Sequence, residues 1–466
     1  MSAATPPWVA LHSVREGSPD DPVEYLTMRM TGLCAGAVDT LEVAAALEAD
    51  GINDEGARGY GHDDVFALAQ DLFDRTPRCP TPPEVVTDVW RGQTWRQLLR
   101  GVLFGLPGVC YATAAPLLTR PAAGIVLVLS LLLSWTASQL VAYLGYVRLG
   151  RGDAGSARRV MRRGLVLAVS IVAPLTVAAG LLMGSGKPAT GLAAGQCAYL
   201  LAATVALVSG AEPLLLLALL PGVCAGVTWA AAGGGPVMPW VWIAWGVTVA
   251  ATTVLAVRCT GGTDARAGIS RAELVAALPY AGFGLVAGGL LSAGELCVLL
   301  GRAAPSPATT AGVLSLSLSM GLAEWLLYTY RRRAHRLLRD SPDLRVFATG
   351  SRCLLAGVVV LYLAGLVTLA AGVARAAGLT ASTGLPAFTG YLGLGGAFFV
   401  ALLLQSCGHV GSVLAICALG LTAETTVLVV GLVPDPEVVQ AVAACGLFGV
   451  LLGYASVALS RATCHR

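Results

Sequence analysis

Three acidic residues interrupt runs that are otherwise apolar: Glu295, Glu324 and Glu424. An ionisable group in hydrocarbon is costly, so each must be paired, neutralised or turned towards water, and each is a candidate for lining a transport cavity or coupling to a cation. Glu424 sits in Leu421-Thr422-Ala423-Glu424-Thr425-Thr426, among three hydroxyls, and a satisfied contact between helices is the simpler alternative for it. Glu324 stands about two helical turns ahead of Arg331, so a side chain reaching back to Arg331 or Tyr328 accounts for it equally well. Glu295 precedes Arg302 by about two turns, and an interfacial pair is its alternative.

The basic residues are clustered. Arg158, Arg159, Arg162 and Arg163 follow one apolar run, and Arg331, Arg332 and Arg333 follow another. One reading is topological: the first four lie on a short interfacial helix and meet anionic lipid. The other is that they also receive the phosphates of a lipid-linked substrate at the mouth of a pathway. Pro107 and Pro279 each fall inside an apolar run. There they are expected to interrupt corresponding helices and mark a substrate site or hinge.

A repeat organises these groups. Val128-Leu129-Ser130-Leu131-Leu132-Leu133-Ser134, running on to Tyr143 and Arg148, recurs 185 residues later as Val313-Leu314-Ser315-Leu316-Ser317-Leu318-Ser319, running on to Tyr328 and Arg333. Eight of 21 aligned positions are identical without a gap. The alignment sets Gln139 opposite Glu324, which are therefore expected to face each other or a common cavity. Ser130 and Ser134, like Ser315 and Ser319, share a helix face and suit close helix packing or a lined pathway.

With 56% hydrophobic and 12% charged residues, the 466-residue chain is a polytopic membrane protein by composition. Twelve apolar runs are long enough to be spans, at about 97–118, 122–147, 164–184, 189–209, 213–232, 237–257, 273–300, 309–330, 353–374, 386–406, 410–433 and 438–460. With the N-terminus inside, the segments 96–100, 148–163, 258–271, 331–352 and the tail hold twenty arginines, against Arg120, Lys187, Arg302 and Arg375 outside. That asymmetry places both termini in the cytoplasm. Six spans per copy then make the two repeats parallel. The expected class is an all-α polytopic membrane protein with 12 transmembrane helices in two parallel six-helix lobes, 96–257 and 272–466, joined by a loop at 258–271.

Residues 1–95 form a different object, with sixteen acids against six arginines. Such a head is too acidic to bind nucleic acid. Residues 1–35 read as loosely ordered. Asp39-Thr40-Leu41-Glu42 starts an amphipathic helix that Gly51 ends, a second short helix begins at Asn53, and a third places Phe66, Ala69 and Phe73 on one face. Pro80, Pro82 and Pro83 stiffen a linker, and Trp90 and Trp95 mark a membrane interface. Most of the twelve cysteines lie singly in apolar runs, as small buried hydrophobes. No base is placed to activate a serine or cysteine, so no enzyme is expected.

The second run and its tail, Leu149-Gly150-Arg151-Gly152-Asp153-Ala154-Gly155-Ser156-Ala157-Arg158-Arg159-Val160-Met161-Arg162-Arg163-Gly164, with the counterpart from Tyr330 to Arg352, resembles the loops between helices 2 and 3 and helices 8 and 9 of the multidrug/oligosaccharidyl-lipid/polysaccharide exporter superfamily. The resemblance covers about 97–460 and leaves the head outside. It implies two lobes rocking about a central cavity in alternating access. The expected function is export or flipping of a polysaccharide or lipid-linked saccharide at the cell membrane, with the head available to dock a cytoplasmic glycosyltransferase. Two alternatives remain: a drug antiporter driven by a proton or sodium gradient, and a non-transporting scaffold whose head is the working part. No bound cofactor or metal is implied.

Overall fold

The computed structural model describes residues 22–77, 94–117, 121–262, 268–299, 301, 306–341, 343–379, 384–461 and 464. Every regular element among them is helical. The chain divides into two compact units, Met1–Arg91 and Gly92–Arg466.

The first unit contains α1 (Pro22–Gly36), α2 (Thr40–Ala49), α3 (Asp54–Arg58) and α4 (Val65–Arg75). Helix α1 corrects the expectation that residues up to 35 are loose; residues 1–21 lie outside the described residues. Its cause is local: Pro22 suits a first helical position, and Val23, Leu26, Met30 and Cys34 form a stripe that buries against the other helices. Asp39 caps α2 by accepting from the Glu42 backbone N–H at 3.0 Å, while Glu42 accepts from the Val38 N–H at 2.9 Å. Gly51 follows with φ 86°, a left-handed conformation that glycine adopts without strain. In α4 the buried face is Val65, Leu68, Ala69, Leu72 and Phe73, whereas Phe66 is 55% exposed, contrary to expectation. The period starts one residue earlier, at Val65, and turns Phe66 outwards. The linker prolines and Trp90 lie outside the described residues; Trp95 is exposed.

The second unit runs α5 (Thr94–Ala112), a 3-10 turn at Ala115–Leu117, α6 (Pro121–Gly150), α7 (Ala154–Leu182), α8 (Lys187–Val208), α9 (Glu212–Ala231), α10 (Pro239–Cys259), α11 (Arg271–Leu299), α12 (Pro307–Asp340), α13 (Leu344–Ala376), α14 (Leu385–Ser406), α15 (Val410–Val430) and α16 (Pro436–Ala458). Eleven of these helices are long and apolar enough to cross a bilayer, and α5 carries a shorter apolar stretch, Leu99–Cys110. The protein is therefore a multi-pass, all-helical membrane protein.

Three helices outrun their predicted spans by two turns or more. Residues 331–340 continue α12, residues 344–352 open α13, and Arg158, Arg159, Arg162 and Arg163 occupy the first turns of α7. The last point corrects the separate interfacial helix. Asp153 caps α7 by accepting from the Ser156 N–H at 2.8 Å, and nothing between Ala154 and the span breaks the hydrogen-bond ladder.

Packing follows a regular plan. Among the six helices α5–α10, α6 lies on α7 and α8, α5 on α9, α8 on α10, and α9 on α10. In the last six α12 lies on α13 and α14, α11 on α15, α14 on α16, and α15 on α16. The two sets meet through α5 against α12 and α6 against α11. Glycine permits both crossings. A Cβ on Gly101 would stand 2.0 Å from the Gly321 Cα, and one on Gly284 would stand 3.2 Å from the Trp135 carbonyl oxygen. Ser130, Ser134, Ser315 and Ser319 are all buried; Ser130 donates to the Ala193 carbonyl at 2.6 Å, and Ser319 lies 2.9 Å from the Tyr362 hydroxyl.

Candidate functional site

The seam between α5/α6 and α11/α12 is fastened at its arginine-rich end. Arg148, near the C-terminus of α6, donates to Glu273 on the first turn of α11 through Nε at 3.0 Å and Nη2 at 2.6 Å. Arg151 adds a bond at 2.9 Å to the same carboxylate. Glu273 is 13% exposed, and a capping box with Ser270 fixes its direction, each backbone N–H reaching the other's side chain at 3.1 Å. Arg148 also holds the Ser156 hydroxyl at 2.5 Å and the Gly268 carbonyl at 2.9 Å. One guanidinium thus ties α6 and α7 to α11. One turn and more further along α6 and α11, Tyr143 stacks on Tyr280 with centroids 4.5 Å apart, and Ala277 is buried against Leu144 and Val160.

A second polar knot lies at the same end of α5. Glu212, the first residue of α9, is wholly buried and accepts from Arg96 at 2.9 Å and Arg100 at 2.8 Å. Arg100 also donates to the Leu207 carbonyl at 3.2 Å. Its charge is within electrostatic range of Tyr146 on α6 and Glu324 on α12. Glu324 therefore has a cationic neighbour on α5 across the seam, in addition to the arginines further along its own helix.

Sequence reading missed Glu212 and Glu273, each an acid on a span's first turn. The signal for Glu273 was present, since Ser270-Arg271-Ala272-Glu273 has capping-box spacing. For Glu212 it was only that a lone acid stood at an otherwise basic end.

Gln139 and Glu324 are not joined: no hydrogen bond or ion pair links them among the described residues. The Gln139 Cγ instead packs over Gly284 of α11, 3.0 Å from where a Cβ would lie. Each residue thus meets the neighbouring helix of the other set. Pro107 and Pro279 lie inside α5 and α11, which run through them unbroken. They are the fourteenth and ninth residues of those helices, so they occupy different depths and do not mark matched breaks. A proline forfeits one backbone bond, which packing against neighbours can absorb.

Glu424 is buried at 3% exposure, and its Oε1 has no hydrogen-bond partner among the described residues. On α15 and α11, Leu414 meets Gly282 and Leu421 meets Gly289, a register that sets Glu424 level with buried Ser292. On α16, which packs on both helices, Gln440 is buried and its Nε2 is likewise unpartnered. Its Oε1 lies over Gly294. Glu295 follows Gly294 on α11; its side chain, like Arg302, lies outside the described residues.

An open-sided cavity of about 430 Å³ lies among α5, α8, α9 and α10, lined by Pro107, Gln196, Tyr199, Trp242, Trp245 and Thr248. Helices α14 and α16 instead touch: a Cβ on Gly393 would stand 2.8 Å from the Cys445 nitrogen, and Gly396 lies against the Phe448 ring. The arginines of the two predicted basic clusters are carried on separate helix pairs. Arg158, Arg162 and Arg163 are exposed and Arg159 half-buried on α7, whereas Arg331 and Arg333 are exposed and Arg332 half-buried on α12. Comparison with protein-family models gives no match, and comparison with curated proteins gives none.

Proposed function

We propose that the chain is a membrane transporter of two six-helix lobes, α5–α10 and α11–α16, that exports or flips a polysaccharide or lipid-linked saccharide by alternating access. The observation that carries this reading is the helix packing plan. Each principal contact in the first lobe has a counterpart six helices later, and the two lobes join through an equivalent pair of glycine-lined crossings. Such a seam is a surface about which two rigid bodies can rock. The Arg148–Glu273 tie belongs to the state in which the arginine-rich side is shut, and the arginine count makes that side cytoplasmic. Exposed Arg158, Arg162 and Arg333 at that side offer bidentate partners to the phosphates of a lipid-linked saccharide as it arrives. The head stays in the cytoplasm in this topology.

The test is gene deletion followed by measurement of surface polysaccharide and lipid-linked precursor. Precursor accumulation, with polymer lost outside, is expected. Normal polymer and no accumulation would remove this cargo. Replacing Arg158 and Arg162 with Gln separates lipid anchoring from substrate contact: unchanged insertion with lost transport is the expected result.

One observation favours a second reading, a cation-coupled antiporter. The carboxyl of Glu424 is enclosed with an oxygen unpartnered among the described residues, on a helix packed against the one that carries the likewise unpartnered amide of Gln440, as a group that takes up and releases a proton or sodium ion must be. In proteoliposomes, drug efflux driven by an imposed gradient and abolished by Glu424→Gln would promote it. Efflux that survives the substitution would remove Glu424 from coupling.

A further inference from the structure

Helix α1 is apolar on two opposite sides. One side, Val23, Leu26, Met30 and Cys34, is buried in the core of its unit. The other carries Tyr25 and Met28, 59% and 57% exposed, on a line that continues through Gly32 to Gly36, with Leu33, 41% exposed, at its edge and Arg29, paired with Asp50, between Tyr25 and Leu33. At the turn into α2, Val38 and Leu41 are also exposed. A helix apolar on both faces has an unpartnered one, and an exposed apolar strip of this kind on a small soluble unit marks an interaction surface.

The charge around the strip selects its partner. Residues 22–77 hold eleven acids against three arginines and no lysine. Two of those arginines are already committed: Arg29 pairs with Asp50 and Arg75 with Asp71. Among the described residues Glu24 and Glu48 on α1 and α2 enter no such pair, and the Glu42 carboxylate accepts from the Val38 N–H. A second copy of this unit would bring two acidic surfaces together, and an anionic bilayer would be repelled.

We propose that the Tyr25–Met28–Leu33 face is a docking surface for a cationic amphipathic helix of another protein. The leucines of such a helix would cover the strip, and its lysines or arginines would meet the acids of this unit, of which Glu24 stands one turn from Met28 on α1. This surface is independent of the transport reading, since it is built from residues of the first unit alone.

The full-length protein in phosphatidylcholine nanodiscs is titrated with a fluorescein-labelled 14-residue helix carrying leucine on one face and lysine on the other, with empty nanodiscs as the blank. Saturable binding above the blank is expected. Met28→Ser with Leu33→Ser, which leaves the charge untouched, is expected to weaken it at least tenfold, and Tyr25→Ser alone should weaken it by a smaller factor. The same helix with glutamate in place of lysine should not bind. Three results would each overturn the proposal: binding no greater than to empty nanodiscs, binding that ignores all three serine substitutions, or self-association of the wild type that Met28→Ser abolishes.

Discussion

Replacing Glu273 with alanine is expected to open the arginine-rich side of the seam. The carboxylate accepts three charge-assisted bonds from two arginines, and Arg148 and Glu273 are 14% and 13% exposed. Removing one partner of a largely buried pair costs about 3–5 kcal/mol. Arg151 is 62% exposed, so its share is small. At about 1.4 kcal/mol per tenfold change, even the lower figure moves a closed-to-open ratio by about two powers of ten. Ala277, wholly buried beneath this tie, reports the change as a cysteine. Ala277→Cys should resist a membrane-impermeant maleimide, read at that residue by mass spectrometry. Adding Glu273→Ala should raise its labelling rate at least tenfold, and Glu273→Asp should give an intermediate rate. An unchanged rate in a folded double variant would refute the idea that this ion pair holds the two helix sets together.

Three further outcomes are expected. Gly101→Val drives a side chain into the Gly321 backbone, so the thermal unfolding midpoint should fall by an amount matching an overpacking cost of about 1–3 kcal/mol, whereas Gly150→Ala, where nothing lies within 4 Å, should leave it nearly unchanged. Glu212→Gln leaves two arginines facing a neutral amide, and it should destabilise by about 3 kcal/mol in the same assay, more than Arg96→Gln, because Arg96 is half exposed. Burial pushes the Cys34 thiol above its ordinary range, so at neutral pH it carries less thiolate than a free cysteine; iodoacetamide should alkylate exposed Cys353 well before Cys34, and raising the pH should speed the reaction at Cys34.

Much of the membrane unit was legible because hydrocarbon imposes one rule on every span: a run of apolar residues has to be long enough to bury its own backbone bonds. Glu424 was legible for the same reason, since a lone acid among Leu421 and its neighbours has no cheap explanation. What failed was the inference of partners. Gln139 and Glu324 occupy equivalent places, yet equivalence fixes only that each meets its own counterpart neighbour, here Gly284 in one case and the Arg100 side in the other. Glu212 and Glu273 look in sequence like ordinary helix-start acids, and only the fold brings arginines from 112 to 125 residues away onto them. Helix α1 was lost because Pro22 reads as a breaker although it suits a first helical turn, and because apolar residues from Val23 to Cys34 fall on every side, which blurs the period that marks a helix.

The lengths of α12 and α13 have a mechanical consequence. At 34 residues, α12 is about 51 Å long, some 20 Å more than the hydrocarbon it crosses. Its outlying turns are braced rather than loose, with Leu337 packed over Gly350 and Arg352 holding the Ser456 carbonyl. Such a rod is a lever: a tilt of about 10° about one end carries the other about 9 Å sideways. Motion too small to notice within the bilayer is thereby written as a displacement large enough for a soluble molecule at the tip to detect.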